Sequence, residues 1–166
     1  MKKAIILLFI SISFIQCNSL EHKKNIKTTE EFYNICADRK DVNKLIELYS
    51  DSNPQWIDAV ARSLVEGKEN IKSLYEASWE DNNYKKHQDY PKTIALEEIL
   101  ANDSVVVVSG QYNPYYYNGN LVAETKFTAW LYFNKDGKIK KHIEWMQYSV
   151  NDLQDIINFK QSAEIH

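Results

Sequence analysis

Two titratable side chains, His142 and Glu144, lie two residues apart in a segment with the alternating pattern of a β-strand. Because successive strand residues point to opposite faces, both side chains share one face, and Met146 and Tyr148 continue that row. A carboxylate and an imidazole on one face can transfer protons to a bound molecule. They can equally form a hydrogen-bonded polar pair on a sheet surface, and the residues by themselves leave both interpretations open.

The other titratable residues give weaker signals. Asp58 and Arg62 can share one face of a predicted strand, whereas Glu97 and Glu98 are adjacent and point to opposite faces. His87 lies in a polar loop. None of them forms a cluster with metal-ligand spacing, and the sequence contains no Ser-His-Asp grouping, phosphate-binding loop or dinucleotide fingerprint. We therefore expect no metal and no cofactor.

A cluster of tyrosines surrounds a predicted hairpin turn at Asn118 and Gly119. Its members are Tyr112, Tyr115, Tyr116 and Tyr117. Pro114 among them indicates a sheet edge or a bulge. Large amphipathic rings are good contact residues, so this tip could bind a glycan, a protein partner or a second copy of the chain. The rings could equally be ordinary strand residues, half of them packed against helices.

Predicted strands carry both the His142–Glu144 pair and the tyrosine cluster. The sequence pattern of strands is strong from residue 92 onward. Residues 93–100 alternate, and residues 104–112 include four consecutive valines, whose branched side chains suit a pleated sheet. Two long strands, residues 121–133 and 138–148, flank a second predicted hairpin at residues 134–137. Gly137 suits the left-handed position of that turn.

The register between these two long strands decides which side chains face Glu144. We assume a three-residue bulged loop followed by regular alternation. The predicted pairs are Phe133 with Ile139, Leu131 with Lys141, Trp130 with His142, and Thr128 with Glu144. A slip of one residue would redistribute all of these side chains.

Three amphipathic helices are predicted before these strands. Thr28 and Glu31 form a capping box that begins a short first helix, and Asp38 caps the second. The third helix follows Gly67, and residues 55–64 are predicted as a first strand between the second and third helices. A last short helix closes the chain. Helices followed by an antiparallel meander are the α+β pattern.

The composition fits one domain. A chain of 166 residues with 44% hydrophobic residues can bury one core and is too short for two ordinary domains. Without Lys2 and Lys3 of the predicted leader, 18 basic residues remain of 20 against 23 acidic ones, a net charge of about −5. Nucleic-acid binding needs a basic footprint, so we expect no nucleic-acid partner.

Residues 1–16 have the pattern of a secretory signal peptide, with a basic start and an apolar run too short to span a bilayer. Cys17 follows directly, which resembles the lipobox of bacterial lipoproteins, whose cysteine is lipidated. The alternative is an ordinary signal peptide cleaved near Cys17. We expect residues 17–27 to form a polar tether and the exported protein to be membrane-anchored on the periplasmic or outer-surface side. Cys36 then has no disulfide partner, and its spacing predicts a buried apolar position.

Short motifs in this order resemble the SnoaL-like branch of the nuclear transport factor 2-like superfamily. There a glycine precedes a helix, as in residues 67–71 (GKENI), and a D-G-K-I hairpin precedes a final H-x-E/D-Y/W strand, as in residues 135–145. The resemblance covers most of a predicted domain, residues 28–158, which leaves residues 159–166 as a tail. It implies a cone-shaped bent antiparallel sheet packed on N-terminal helices, as in cystatin-like folds, with an apolar pocket at the open end.

Cyclases and ketosteroid isomerases of this superfamily use a pocket carboxylate to move a proton next to a carbonyl, because burial raises its pKa. The resemblance assigns this role to Glu144, with His142 or Tyr148 in support. The facing strand, however, offers Trp130 and Thr128 where these cyclases have His and Gln. This departure favours a non-catalytic, membrane-tethered domain that binds a small molecule or a protein. The alternative is a cyclase- or isomerase-like enzyme for a small apolar carbonyl compound.

The predicted site combines a pocket and a surface. Its pocket residues are Trp130, Thr128, Tyr148 and Met146, and its surface residues are Tyr116 and Tyr117. The expected partners are a small apolar ligand, the membrane through the lipid anchor, and a second copy of the chain bound through the outer sheet face.

Overall fold

The computed structural model describes the backbone of residues 2–162 and the side chains of residues 20–162. The side chains of the predicted signal peptide and of Cys17 lie outside this range, as do residues 163–166 of the predicted tail. Within the part of the chain that is described, no helix combines the length and the apolar character needed to cross a membrane.

The described residues form four helices and nine strands. The helices are α1 (Lys2–Asp38), α2 (Val42–Glu47), α3 (Lys68–Trp79) and α4 (Val150–Ser162). The strands are β1 (Gln55–Asp58), β2 (Ser63–Glu66), β3 (Tyr84–Lys86), β4 (Ile94–Ala101), β5 (Val105–Tyr112), β6 (Tyr115–Tyr117), β7 (Asn120–Val122), β8 (Thr125–Phe133) and β9 (Ile139–Met146). The predicted α+β class is confirmed.

Six strands form the main sheet in the order β2-β1-β9-β8-β5-β4, and β3, β6 and β7 form a small second sheet. Irregular pairing between Leu96 and Glu98 and between Tyr132 and Phe133 bends the main sheet toward the helices. The predicted antiparallel meander is correct for β4, β5, β8 and β9. The sheet as a whole is mixed, because β1 pairs with β9 in parallel.

The core lies between the concave face of the main sheet and helices α1, α2 and α3. Phe127, Leu131 and Phe133 point into it from β8, and Phe32 enters from α1. Cys36 is buried beside them, as its spacing predicts. A Cβ atom on Gly110 would lie 2.5 Å from the Ala95 carbonyl oxygen and 3.1 Å from the Phe127 ring, so glycine is what lets β4, β5 and this ring approach so closely.

The first helix differs from its prediction. It does not begin at Thr28, because residues 20–27, predicted as part of a tether, are helical and contact the body of the protein. The Asn25 side chain is buried and donates to the Asp103 carbonyl oxygen at 3.0 Å. The Lys24 ammonium donates to the Asp136 carbonyl oxygen at 2.7 Å. These partners lie more than 70 residues along the chain, so local patterns do not reveal the docking.

The predictions for the second helix and the first strand are also corrected by the structure. Asp41, not Asp38, caps α2, since its carboxylate accepts the Lys44 N–H at 3.0 Å. The strand predicted at residues 55–64 is an antiparallel hairpin of β1 and β2. Its turn is held by Asp58, whose Oδ1 accepts the backbone N–H groups of Val60 at 2.9 Å and Ala61 at 2.8 Å.

The predicted register of β8 and β9 is right for the first pair, Phe133 with Ile139, and wrong beyond it. A bulge at Lys140 shifts the pairing by one residue. Leu131 therefore faces His142, and Ala129 faces Glu144. Ile139 and His142 are three residues apart and both buried, which regular alternation does not allow and the extra residue does.

This shift moves two predicted pocket residues out of the interior. Trp130 lies on the outer face of the sheet with 40% of its surface exposed, and its ring packs 5.8 Å from that of Trp145. Thr128 pairs with Trp145 on the same face. The prediction that Trp130 and Thr128 face His142 and Glu144 is therefore wrong.

The tyrosine tip forms the predicted hairpin. Asn118 and Gly119 have φ angles of 50° and 79°, and they connect β6 to β7. The hairpin does not continue into β8 as one long strand. It pairs instead with β3, a segment predicted as part of a polar loop, and completes the second sheet.

Candidate functional site

A cavity of about 230 Å³ lies between the concave face of the main sheet and helices α1 and α3. Aromatic rings form much of its wall, and its polar groups come from both the strands and the helices. The titratable or hydroxyl-bearing lining residues are Tyr33, Cys36, Arg39, Asp58, Tyr75, Ser78, Tyr112, His142, Glu144 and Tyr148. This composition, an apolar enclosure with a few convergent polar groups, is typical of a small-molecule site.

Two carboxylates lie side by side in this cavity. Asp58 ends β1 and Glu144 lies on β9, and the parallel pairing of the two strands places them directly opposite each other. Their exposed fractions are only 4% and 5%. Low solvation and the neighbouring Asp58 carboxylate therefore disfavour the charged form of Glu144.

The two acids have different hydrogen-bond environments. Asp58 accepts two backbone N–H groups through Oδ1 and the Tyr148 hydroxyl through Oδ2. Among the described residues, the Glu144 carboxylate accepts a side-chain hydrogen bond only from the Tyr112 hydroxyl, at 3.3 Å. Burial, with a smaller contribution from the charge of Asp58, raises the pKa of Glu144 to about 7, and the Tyr112 bond lowers it slightly. Glu144 is therefore the acid that can gain or lose a proton near neutral pH.

His142 is buried between the core and the cavity. Burial lowers its pKa to about 3, so the ring is neutral at physiological pH. Its Nδ1 lies 3.2 Å from the Tyr49 hydroxyl, and Phe32 packs edge-on at 5.3 Å. Its Nε2 has no hydrogen-bond partner among the residues described. A neutral imidazole donates one hydrogen bond through its N–H and accepts one at its other nitrogen, but it cannot supply positive charge.

Tyr33 contributes a hydroxyl group to the cavity wall. The residue is buried on α1, its ring stacks on Phe127 at 5.6 Å, and its hydroxyl has no partner among the described residues. Burial, and then the negative charge of Glu144, raise the pKa of this phenol well above its usual value. The group therefore remains a protonated hydrogen-bond donor.

A second cavity of about 220 Å³ adjoins the first. The two share Arg39, Ser78, Tyr112 and Met146, and the second is completed by residues of the small sheet and the loop before it, including Asp81, Tyr84, Tyr115 and Tyr117. Tyr116 lines neither cavity and stacks on His87 at 5.4 Å. Tyr115 and Tyr117 of the hairpin therefore belong to the wall of the second cavity, whereas Tyr116 packs on His87.

The structure brings together four residues predicted for the site: Glu144, His142, Met146 and Tyr148. It adds Asp58, which the sequence shows only as one strand residue among several, because its parallel pairing with β9 has no local signal. Tyr33 and Arg39 were also missed. Tyr33 is adjacent to the apolar stripe of α1 that Phe32 indicates, which was the available hint of its burial.

Sequence comparisons are negative: no family model matches the chain, and no curated protein matches it. Solved structures match well. A SnoaL-like protein provisionally assigned as a polyketide cyclase, from Shewanella denitrificans OS-217, has a TM-score of 0.62 at 13% identity, over 81% of this chain and 96% of that one. A steroid Δ-isomerase from Pseudomonas aeruginosa has a TM-score of 0.56 at 15% identity, over 86% and 94%.

A de novo designed protein with a curved β-sheet is equally similar, with a TM-score of 0.58 at 14% identity, over 82% of this chain and 97% of that one. At such identities the similarity establishes architecture, and an architecture can be built without a function. The chain therefore has the nuclear transport factor 2-like, SnoaL-like fold that its motifs predict, and its activity must be argued from its own site.

Proposed function

We propose that this protein is an acid–base enzyme that moves a proton next to the carbonyl group of a small, largely apolar molecule, with Glu144 as the proton-transferring group. The observation that carries the proposal is the position of Glu144, buried at the wall of an aromatic-lined cavity that has room for a ligand beside it. A general acid or base works best when its pKa lies near the working pH, and burial places the pKa of Glu144 at about 7.

The other polar groups fit supporting roles in this chemistry. Asp58, held by backbone N–H groups and Tyr148, is a fixed neighbour that keeps the proton affinity of Glu144 high. The unpartnered Tyr33 hydroxyl can donate to the oxygen on which negative charge develops when a carbonyl compound is enolised. A preorganised donor in a cavity shielded from water stabilises such an oxyanion more strongly than water does.

The corrected register changes which residues lie opposite the acid. In the predicted register, the facing strand offers Trp130 and Thr128 where the resembled cyclases have His and Gln. The structure places Ala129 and Leu131 opposite Glu144 and His142 instead. These side chains are apolar, so the polar groups around the acid come from other elements of the cavity wall. The names of similar folds, a steroid Δ-isomerase and a SnoaL-like polyketide cyclase, are compatible with carbonyl proton transfer but do not establish it here.

The test is hydrogen–deuterium exchange next to a carbonyl. A panel of small cyclic ketones is incubated with the protein in D₂O, and loss of the α-proton signal is followed by NMR. We expect exchange above the buffer rate with the wild-type protein. Glu144→Gln should reduce the enzymatic rate by about 10²- to 10⁴-fold, the usual contribution of a general base.

Glu124→Gln is the matched control, because Glu124 is an exposed carboxylate outside both cavities. It should retain the wild-type exchange rate. If the wild-type and Glu144→Gln proteins exchange every ketone at the same rate, the proton-transfer function is wrong. Saturable ketone binding without exchange would then support a non-catalytic binding domain.

We also propose that the protein is exported and held at a membrane by a lipid on Cys17. The support is the basic and apolar leader followed directly by this cysteine. Replacing Cys17 with Ser in the expressing bacterium should move the protein from the membrane fraction to the soluble fraction. Unchanged partitioning, measured by blotting of the separated fractions, would exclude the lipid anchor.

A further inference from the structure

Arg39 occupies an unusual backbone position at the end of α1. It follows Asp38, the last residue of the helix, and has a φ angle of 50°. Its N–H donates to the Cys36 carbonyl oxygen at 3.2 Å. Helices often end with one residue in this left-handed conformation, and that residue is usually glycine because side chains disfavour it. Here a long cationic side chain stands where glycine would be easier to accommodate.

The guanidinium group of Arg39 lies in the wall that the two cavities share. Its Cζ lies 3.8 Å from the centre of the Tyr84 ring, and its Nη2 donates to the Ser78 carbonyl oxygen. A guanidinium carries five N–H donors in a rigid plane. Stacking on one face and a single hydrogen bond hold that plane in place and leave other N–H groups for a ligand.

Arg39 has no carboxylate partner among the ion pairs of the described residues. Asp81 lines the second cavity with it, and the charges of the two groups act on each other. No direct ion pair among the described residues joins them, and the Asp81 carboxylate accepts the Asn83 N–H at 2.9 Å on its own turn. No other lysine or arginine in the described part of the chain lines either cavity. Arg39 is thus a positioned cation beside an aromatic-walled space.

We propose that Arg39 binds a carboxylate group of the substrate, so that the substrate class is a small apolar carbonyl compound carrying a carboxylate away from its reacting carbon. The inference rests on the proposed proton-transfer function and narrows its substrate. A guanidinium binds a planar carboxylate through two parallel hydrogen bonds. Asp58 and Glu144 line the first cavity only, so an anion bound to Arg39 from the second cavity stays apart from them. Asp81 is the one carboxylate among the described residues that line this second cavity.

The probes are 3-phenylpropanoate and its neutral amide, 3-phenylpropanamide, which have nearly the same shape. Isothermal titration calorimetry on the full-length protein should show at least tenfold tighter binding of the acid. Arg39→Gly should remove this preference, and Arg39→Lys should keep only part of it, because an ammonium lacks the two-point geometry. The glycine variant suits the positive φ, so an unchanged or higher melting temperature should show that the fold is retained.

The inference is overturned if the wild-type protein does not prefer the acid, including the case in which the acid does not bind, or if Arg39→Gly keeps the preference. Tighter binding of 2-phenylethyl phosphate than of the acid would also contradict a carboxylate site. The same titrations on Glu144→Gln separate the two proposals, because this variant should keep the preference for the acid. If the wild-type protein exchanges no ketone above the buffer rate but keeps its Arg39-dependent preference for the acid, only the proton-transfer function is rejected.

Discussion

The two faces of the β8–β9 hairpin have the same secondary structure and opposite environments. On the concave face, Leu131, His142 and Glu144 are almost fully buried, and their polar atoms interact with a small set of partners. On the convex face, Trp130 and Trp145 pack on each other and remain about 40% exposed. Burial on the concave face raises the pKa of Glu144 and lowers that of His142, so the environment of this face sets the protonation of both groups.

Two adjacent residues of β8, Leu131 and Trp130, test this difference between the faces most directly. Leu131→Ala should lower the free energy of unfolding by about 2–5 kcal/mol, because it opens a void in a packed core. Trp130→Ala removes a larger side chain from a partly solvated face, and we expect a loss below about 1.5 kcal/mol. Urea unfolding of both variants measures the difference. Equal losses would show that the convex face is buried in solution and that the contrast between the faces is wrong.

The pH dependence of stability should reveal the buried acid. The pKa of Glu144 is raised from 4.5 to about 7 on folding, so the folded state binds a proton more tightly than the unfolded state. Its contribution to stability is fully present below pH 4.5 and is lost as pH rises to about 7. By linkage this amounts to roughly 3 kcal/mol.

His142 has the opposite effect on how stability changes with pH. Its pKa falls from 6.5 to about 3 on folding, so its contribution is present above pH 6.5 and is lost as pH falls toward 3. Between pH 4.5 and 6.5 the two slopes oppose each other. Glu144→Gln should therefore make the free energy of unfolding rise with pH more steeply there than in wild type. Parallel wild-type and variant profiles, from urea titrations at each pH, would show that Glu144 is not buried.

The smallest expected effect concerns the convex face. Exposed aromatic residues are common in interfaces, and the predicted homodimer would use this surface. The double variant Trp130→Ser with Trp145→Ser should shift the sedimentation coefficient toward that of a monomer, and a cooperative thermal unfolding transition should show that the variant is folded. Lys140→Ser, an exposed change on the same strand, serves as the control. An identical sedimentation profile for the double variant would exclude this face as the dimer interface.

Part of the site could be read from the sequence because it depends on local rules. Alternation places His142, Glu144, Met146 and Tyr148 on one face of a strand, and the structure puts all four along the same cavity. The residues opposite them could not be read, because a single bulge at Lys140 reverses the assignment of the neighbouring strand. Such a bulge follows from which side chains the whole core must bury.

Asp58 and Arg39 show the same limit in two other ways. Asp58 becomes the partner of Glu144 through a parallel strand pair that joins residues more than 80 positions apart. Arg39 enters the cavity wall through a left-handed backbone conformation that its residue type does not suggest. The parallel strand pair of Asp58 and the contacts of the Arg39 guanidinium with Ser78 and Tyr84 all join residues distant in sequence, so the local pattern does not reveal them.

The sequence by itself determined the features that depend on interactions between residues close together along the chain. These are the strand periods, the turns at Asn118–Gly119 and Gly137, the third helix after Gly67, and the α+β order. Tertiary structure alone decided the strand register, the docking of residues 24–25 and the meeting of two acids in one cavity. The physical reason is that turn geometry and side-chain alternation depend on interactions between neighbouring residues. Burial depends on contacts between residues that only the folded chain brings together.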